Sequence, residues 1–200
     1  VIVYTDEEFY EEYDKYPLRR VDLSTILIRL KEMGASVIAV DMLLDFKSAY
    51  GEDPSLEDAF IEAGNALLVS QAQFENEEFV GVNYAIDRFS KHTSNGYSNI
   101  SSNSAVPQSI VRLRVYPEIA KSGQWPFAVE AVSQHLGVEP ELAGRNLTVG
   151  DIEFPLDPFN DLYIDYPLLP SDGTGGTVRT HEDIGLSTAD VLVAQDKEGA

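Results

Sequence analysis

The sequence predicts an α/β fold: an N-terminal βαβαβ parallel-sheet unit, continued by mixed strands and one or two further helices. Two observations carry this. Short apolar, β-branched runs alternate with stretches of helical period through roughly the first seventy residues, the pattern of parallel strands joined by right-handed crossovers. Beyond them the pattern is less regular, with a tight-turn signal between two short strand-like runs late in the chain.

Residues 1–5 are a β-branched run that ends in Asp6-Glu7-Glu8, a buried strand with acids at its carboxyl end. Residues 10–16 are polar and aromatic, closed by Pro17. From Arg20 the period changes, and Leu23, Ile26, Leu27, Leu30 and Met33 fall on one helical face ending at Gly34. Residues 36–44 (SVIAVDMLL) are continuously apolar apart from Asp41 and suit a central parallel strand covered on both faces. Asp53-Pro54-Ser55 opens a second helix with Leu56, Phe60 and Ile61 as its apolar stripe, up to Gly64. Residues 65–70 are the third strand.

Residues 79–86 are strand-like. Residues 91–108, rich in Ser and Asn and without apolar period, read as a long exposed loop. Residues 109–115 alternate, which puts Arg112 and Arg114 on one face of a strand. Trp125-Pro126 begins a helix through Leu136, with Gly137 as its stop. Gly150-Asp151 joins short strands at 146–149 and 152–155. A strand at 162–166, a flexible loop at 171–177 and a short closing helix at 188–194 complete the prediction. Neither a tandem repeat nor a clean linker interrupts the chain, so residues 1–200 read as a single domain.

Composition narrows the function classes. Apolar residues make up 44% and aromatics 10%, enough for a sizeable core. Thirty-four acidic residues against fourteen basic ones give a net charge of −20, a surface that repels nucleic acid and anionic lipid. The bland reading of this excess is solubility; the sharper one is that some carboxylates converge on a cation. Cysteine is absent, which removes disulfides, thiolate catalysis and thiolate metal sites. No stretch approaches the ~20 continuous apolar residues of a membrane span. Val1 begins inside a strand-like run without a starting Met, the look of an excised segment whose anchor lies elsewhere.

The strongest constellation is Asp6 with Asp41. Both follow strand runs, and the carboxyl ends of parallel strands share one sheet edge, where ligand crevices form. On neighbouring strands the two carboxylates, with Glu7 or Asp45, would hold a hard cation or share a proton. The competing reading caps helix starts or pairs them with Arg20, which enters the intervening helix. Arg112 and Arg114 would hold an anionic ligand or tie down acidic surface. His135, on the face of Ala128, Ala131 and Val132, reads as a satisfied core residue, and His181-Glu182-Asp183 as a polar loop cluster. The glycines at 173, 175 and 176 lack the strand–glycine–helix context of a phosphate loop. No nucleophile, base and charge stabiliser assemble into a catalytic set, so catalytic residues, metal ligands and cofactors are all expected to be none.

In order and spacing these elements resemble the CHASE domain of type 2, the cyclase/histidine-kinase-associated sensory extracellular domain. The correspondence runs from VIVYTDEE at 1–8 through Tyr16-Pro17-Leu18-Arg19-Arg20, similar to a W-P-W-x-R element, and LIRLKEMGASVIAVD at 27–41. It continues with Val111-Arg112, the small-residue helix at 127–137, Phe154-Pro155-Leu156-Asp157 with the strand at 162–166, and the segment at 187–192. Both tryptophans of the W-P-W element are missing, Gln108-Ser109 replaces the D-G before the strand arginine, and Asp165 stands where asparagine is usual. The family continues past this point with an apolar strand and a glycine-rich turn, so the resemblance implies a C-terminal truncation and an open strand edge that favours a homodimer.

The resemblance implies an input domain on the extracytoplasmic, periplasmic or cell-surface side of a bacterial cytoplasmic membrane, joined to a cyclase, histidine kinase or protein kinase output. Its partners would be an unknown small ligand and the flanking transmembrane helices of the parent receptor. Candidate ligand residues are Asp6, Glu7, Arg20, Asp41 and Arg112. The alternatives are a dimerisation or spacer domain of the same receptor, and a metal-dependent hydrolase working at the acidic edge.

Overall fold

The computed structural model describes residues 2–5, 9–11, 18–76, 78–101, 112–163, 168–169, 177–178, 185–188 and 191. Its N-terminal half has the predicted order: β1 (Ile2–Tyr4), α1 (Arg20–Glu32), β2 (Ile38–Val40), α2 (Asp53–Ala63) and β3 (Ala66–Glu75). The fold is α/β. β3 is the spine. Its first half pairs in parallel with β2 on one side and with β5 (Ser94–Tyr97) on the other; its second half turns to an antiparallel partner, β4 (Glu78–Asn83).

The central strand is therefore β3, not the run at 36–44. Ala66 to Ser70 are all buried, so both faces are covered. β2 keeps only three residues in the ladder, with Ala39 exposed between buried Ile38 and Val40. β1 does not pair with β2 among the described residues. It pairs in parallel with β14 (Gly185–Ser187), Tyr4 opposite Ser187, so the sheet is split between its first two strands.

Helices α1 and α2 pack together on this sheet. Leu23, Ile26 and Leu27 of α1 are buried, and Met33 stands exposed at its C-cap. On α2 the buried stripe is Leu56, Ala59, Phe60 and Ala63. Ile61, expected in that stripe, is exposed, because one residue beyond Phe60 is a ~100° turn of the helix. Gly64 takes φ 68° and donates to Phe60 O, closing α2 in the left-handed conformation that glycine tolerates best. Phe60 meets Phe89 of the short α3 (Asp87–Ser90) edge to face, centroids 5.5 Å apart.

The expected loop at 91–108 contains β5 and β6 (Ile100–Ser101). β5 reads Ser-Asn-Gly-Tyr and has no apolar alternation; it is held by its ladder to β3 and by burial of Gly96 and Tyr97. The remainder of that stretch, 102–108, lies outside the described residues. β6 leads to β7 (Arg112–Arg114), which pairs antiparallel with β11 (Asp161–Tyr163). The turn of helix α4 (Pro117–Ala120) and then α5 (Phe127–Leu136) follow. α5 ends at Gly137 as predicted, φ 68°.

Strands β8 (Pro140–Ala143), β9 (Asn146–Val149) and β10 (Ile152–Pro155) form an antiparallel meander, with the predicted turn between the last two. Leu113, Val115, Trp125, Val129, Leu147 and Val149 make a second core under α5. His135 is not part of it. α5 buries Val129 and Ser133, leaving His135 exposed with Nδ1 2.8 Å from Ser36 Oγ. A last short pair, β12 (Leu168–Leu169) with β13 (Thr177–Val178), is antiparallel. His181 and residues 171–176 lie outside the described residues, as do most of 10–16, 164–166 and the closing helix, of which Thr188 and Val191 are described and buried.

Candidate functional site

The split between β1 and β2 opens into a cavity of about 620 Å³. Its floor is α1, through Leu23, Ile26, Leu27 and Leu30, because the crossover from β1 to β2 lays the apolar face of this helix across the gap. Its walls are the two strands, Val3 to Thr5 on one side and Ile38 to Met42 on the other. Thr188, just past β14, completes the lining. Its Oγ1 donates to Tyr4 O at 2.9 Å, while Arg29 Nη1 of α1 donates to Val191 O at 3.0 Å. Thr188 is thus fastened to β1 and Val191 to the cavity floor.

Asp41 stands at the carboxyl end of β2, exposed, lining this cavity and making no hydrogen bond or ion pair with any described residue. Thr5, immediately before Asp6 in sequence, lines the opposite wall. Asp6 and Glu7 themselves lie outside the described residues.

Arg20 does not pair with Asp41; among the described residues its carboxylate partner is Asp53. Its Nη1 binds Asp53 Oδ1 and its Nη2 donates to Phe46 O. The guanidinium lies between the rings of Phe46 and Phe89, 5.3 and 5.2 Å from their centroids. Its backbone N–H donates to Glu52 Oε2 at 3.0 Å, and Arg19 Nε donates to Glu52 Oε1 at 2.5 Å. Asp53 also accepts from Ser48 N at 3.0 Å. Two carboxylates at the start of α2 thereby lock the start of α1. The sequence signal was the acidic pair before Pro54, which reads equally well as a helix start alone. Arg19, Arg20, Phe46, Tyr50 and Glu52 line a second cavity of about 430 Å³, which shares Leu18, Leu23 and Met42 with the first.

Arg112 lines neither cavity. It is buried on β7 over the Tyr163 ring at 4.7 Å, with Nη1 3.7 Å from Asp161 and 3.9 Å from Asp157. Its Nε has no hydrogen-bond partner among the described residues. Arg114, on the same face, grips Asp161 with two bonds of 2.6 and 2.9 Å. That bond, ahead of the charge attraction, raises the Arg114 pKa further.

Asp157 accepts the backbone N–H of Asp161 at 2.9 Å and of Phe159 at 2.8 Å. The Asp161 N–H first, then the other donors and the Arg112 charge, hold its carboxyl below the usual range. A carboxyl lowered by folding stabilises above its unfolded pKa of about 3.9 and loses that contribution as pH falls through the lowered value. Asp157→Asn is therefore expected to lower the urea midpoint at neutral pH, and to lower it progressively less as pH falls through the acid range. A loss that stays the same down to acid pH would show that the charge is not what matters.

A parallel unit with a cavity between its first two strands, joined to an antiparallel half, defines the class as a mixed α/β domain. The family model of the CHASE2 domain matches residues 1–197, nearly the whole chain, and the chain belongs to that family. CHASE2 domains are extracellular sensory domains of signalling receptors, sensory rather than catalytic. No match was found among curated proteins or among solved structures. No helix of the described residues is long and apolar enough to cross a membrane.

Proposed function

We propose that residues 1–200 form one sensor domain on the extracytoplasmic side of a bacterial transmembrane receptor, and that a small ligand in the cavity between β1 and β2 sets its state. The observation that carries this is the lining itself: one cavity touches β1, β2, α1 and Thr188, and Thr188 is bonded to β1. A ligand that fits one separation of the two strands better than another shifts the balance between them by its difference in affinity. The 185–191 segment follows β1 and carries the change to a flanking membrane helix and so to a cyclase or kinase output. Asp41, with Asp6 and Glu7, supplies the polar contacts at the mouth; Arg20 and Arg112 hold the walls and the antiparallel half in place.

The test is output activity of the full-length receptor carrying Ala39→Trp. Ala39 lines the cavity and is exposed, on the face of β2 opposite buried Ile38 and Val40, so an indole there obstructs the cavity from its rim with little demand on the core. Output locked high or low, and no longer responsive to the stimulus, is expected. Wild-type response with a filled cavity would favour the spacer reading, in which self-association alone matters and Asp41→Ala is silent.

A further inference from the structure

We propose that the ligand class of the β1–β2 cavity is a small amphiphilic monocation, with an apolar body on the α1 floor and an ammonium group at Asp41; this rests on the sensor reading above. The volume, about 620 Å³, lies within the roughly 300–1,000 Å³ of small-molecule sites. Its interior is hydrocarbon: Leu23, Ile26, Leu27 and Leu30 below, Val3 and Val40 at the sides. An apolar body gains by leaving water there, at about 25 cal/mol per Å².

The head group is set by charge. Among the described lining residues Asp41 is the one carboxylate, and no Lys, Arg or His lines the cavity. Arg29, between Ile26 and Leu30 on α1, does not line the cavity and donates through Nη1 to Val191 O, while Arg19 and Arg20 line the adjoining cavity and are met by Glu52 and Asp53. The net charge of the whole chain, −20, favours a cation in the same sense. A carboxylate ligand would bring a like charge to Asp41 without a cation to receive it. A neutral alcohol would gain the burial but not the attraction. An alkylammonium gains both, and its head stays at the exposed mouth, so no buried charge has to be desolvated.

The experiment compares hexylammonium, hexanol and hexanoate on this chain by calorimetric or NMR titration at low ionic strength. Hexylammonium is expected to bind about threefold to fivefold more tightly than hexanol, the size an exposed ion pair supplies, and hexanoate more weakly than either. Asp41→Asn should bring hexylammonium down to the level of hexanol and leave hexanol unchanged. Ala39→Trp should abolish all three; Leu30→Trp, from the α1 side, gives the same readout if Ala39→Trp fails to fold. Equal binding of the three probes, all blocked by the filling variants, overturns the ligand class and leaves the sensor cavity standing. Absence of binding by every probe, together with an unaltered response of the full-length receptor to Ala39→Trp, overturns both. Preference for hexylammonium that survives Asp41→Asn places the head group elsewhere and refutes the assignment.

Discussion

Replacing Asp53 with alanine is expected to lower stability by about 3–5 kcal/mol, the loss that follows when one partner of a buried ion pair is removed. Arg20 is 7% exposed and Asp53 9%. Without the carboxylate the guanidinium stays between Phe46 and Phe89, retaining the Phe46 carbonyl but no counter-charge on that side. Ser48 N loses its acceptor at the same time. The penalty comes mostly from stranding Arg20, not from the worth of the pair. The double variant Arg20→Met, Asp53→Leu should therefore recover most of the loss, since apolar replacement of both members of a buried pair is often neutral. Urea unfolding of the two single variants and the double gives the coupling directly. A loss below 1 kcal/mol for Asp53→Ala, or a double variant worse than either single, would mean that the junction is wetter than its geometry implies.

The second large effect is expected at Gly96. A methyl group there would sit 2.6 Å from Phe127 Cα, 3.0 Å from Phe127 N and 3.2 Å from Glu130 Cβ. The first two are backbone, which cannot swing aside, so α5 has to move off β5 or β5 off β3. Overpacking of this kind costs about 1–3 kcal/mol, and backbone contact puts Gly96→Ala at the upper end. Tyr97 N donates to Trp125 O at 3.1 Å, so the shift also strains the entry to α5. Trp125 is the sole tryptophan of the chain and is buried. Its emission should move to the red in Gly96→Ala along with a fall in melting temperature. Unchanged emission and stability would show that α5 yields freely at this contact.

These two positions mark where the sequence was legible and where it was not. The order β1–α1–β2–α2–β3 could be read because each element carries its own period, with Gly34 and Gly64 as helix stops and Pro54 as a helix start. What could not be read was which strand lies at the centre. Residues 36–44 and 65–70 are both apolar runs, and only tertiary coverage separates the exposed Ala39 from the buried Leu67. β5 was invisible for a related reason: Ser-Asn-Gly-Tyr has little strand propensity, and its place is decided by a ladder to β3 and by the absence of a side chain at Gly96. At the site, Asp41 was found from its position at a strand end. The Arg20–Asp53 pair was missed because the two residues are thirty-three apart and Asp53 already had a sufficient local role at a helix start. Thr188 carried no signal at all, since a lone threonine near the chain end owes its importance to Tyr4, distant in sequence.

The change of partners along β3 has a mechanical consequence. Ten residues at roughly 3.3 Å each make a continuous beam of about 33 Å, clamped by β2 and β5 at one end and by β4 at the other. A beam clamped at both ends resists bending, so β2, β3, β4 and β5 travel as one piece. Compliance is left to the β1–β14 ribbon, joined to that piece through side chains and Arg29 instead of a ladder. Hydrogen exchange should accordingly be slowest at Leu67 to Ser70 and orders of magnitude faster at Val3, so that the softest strand is the one bonded to Thr188.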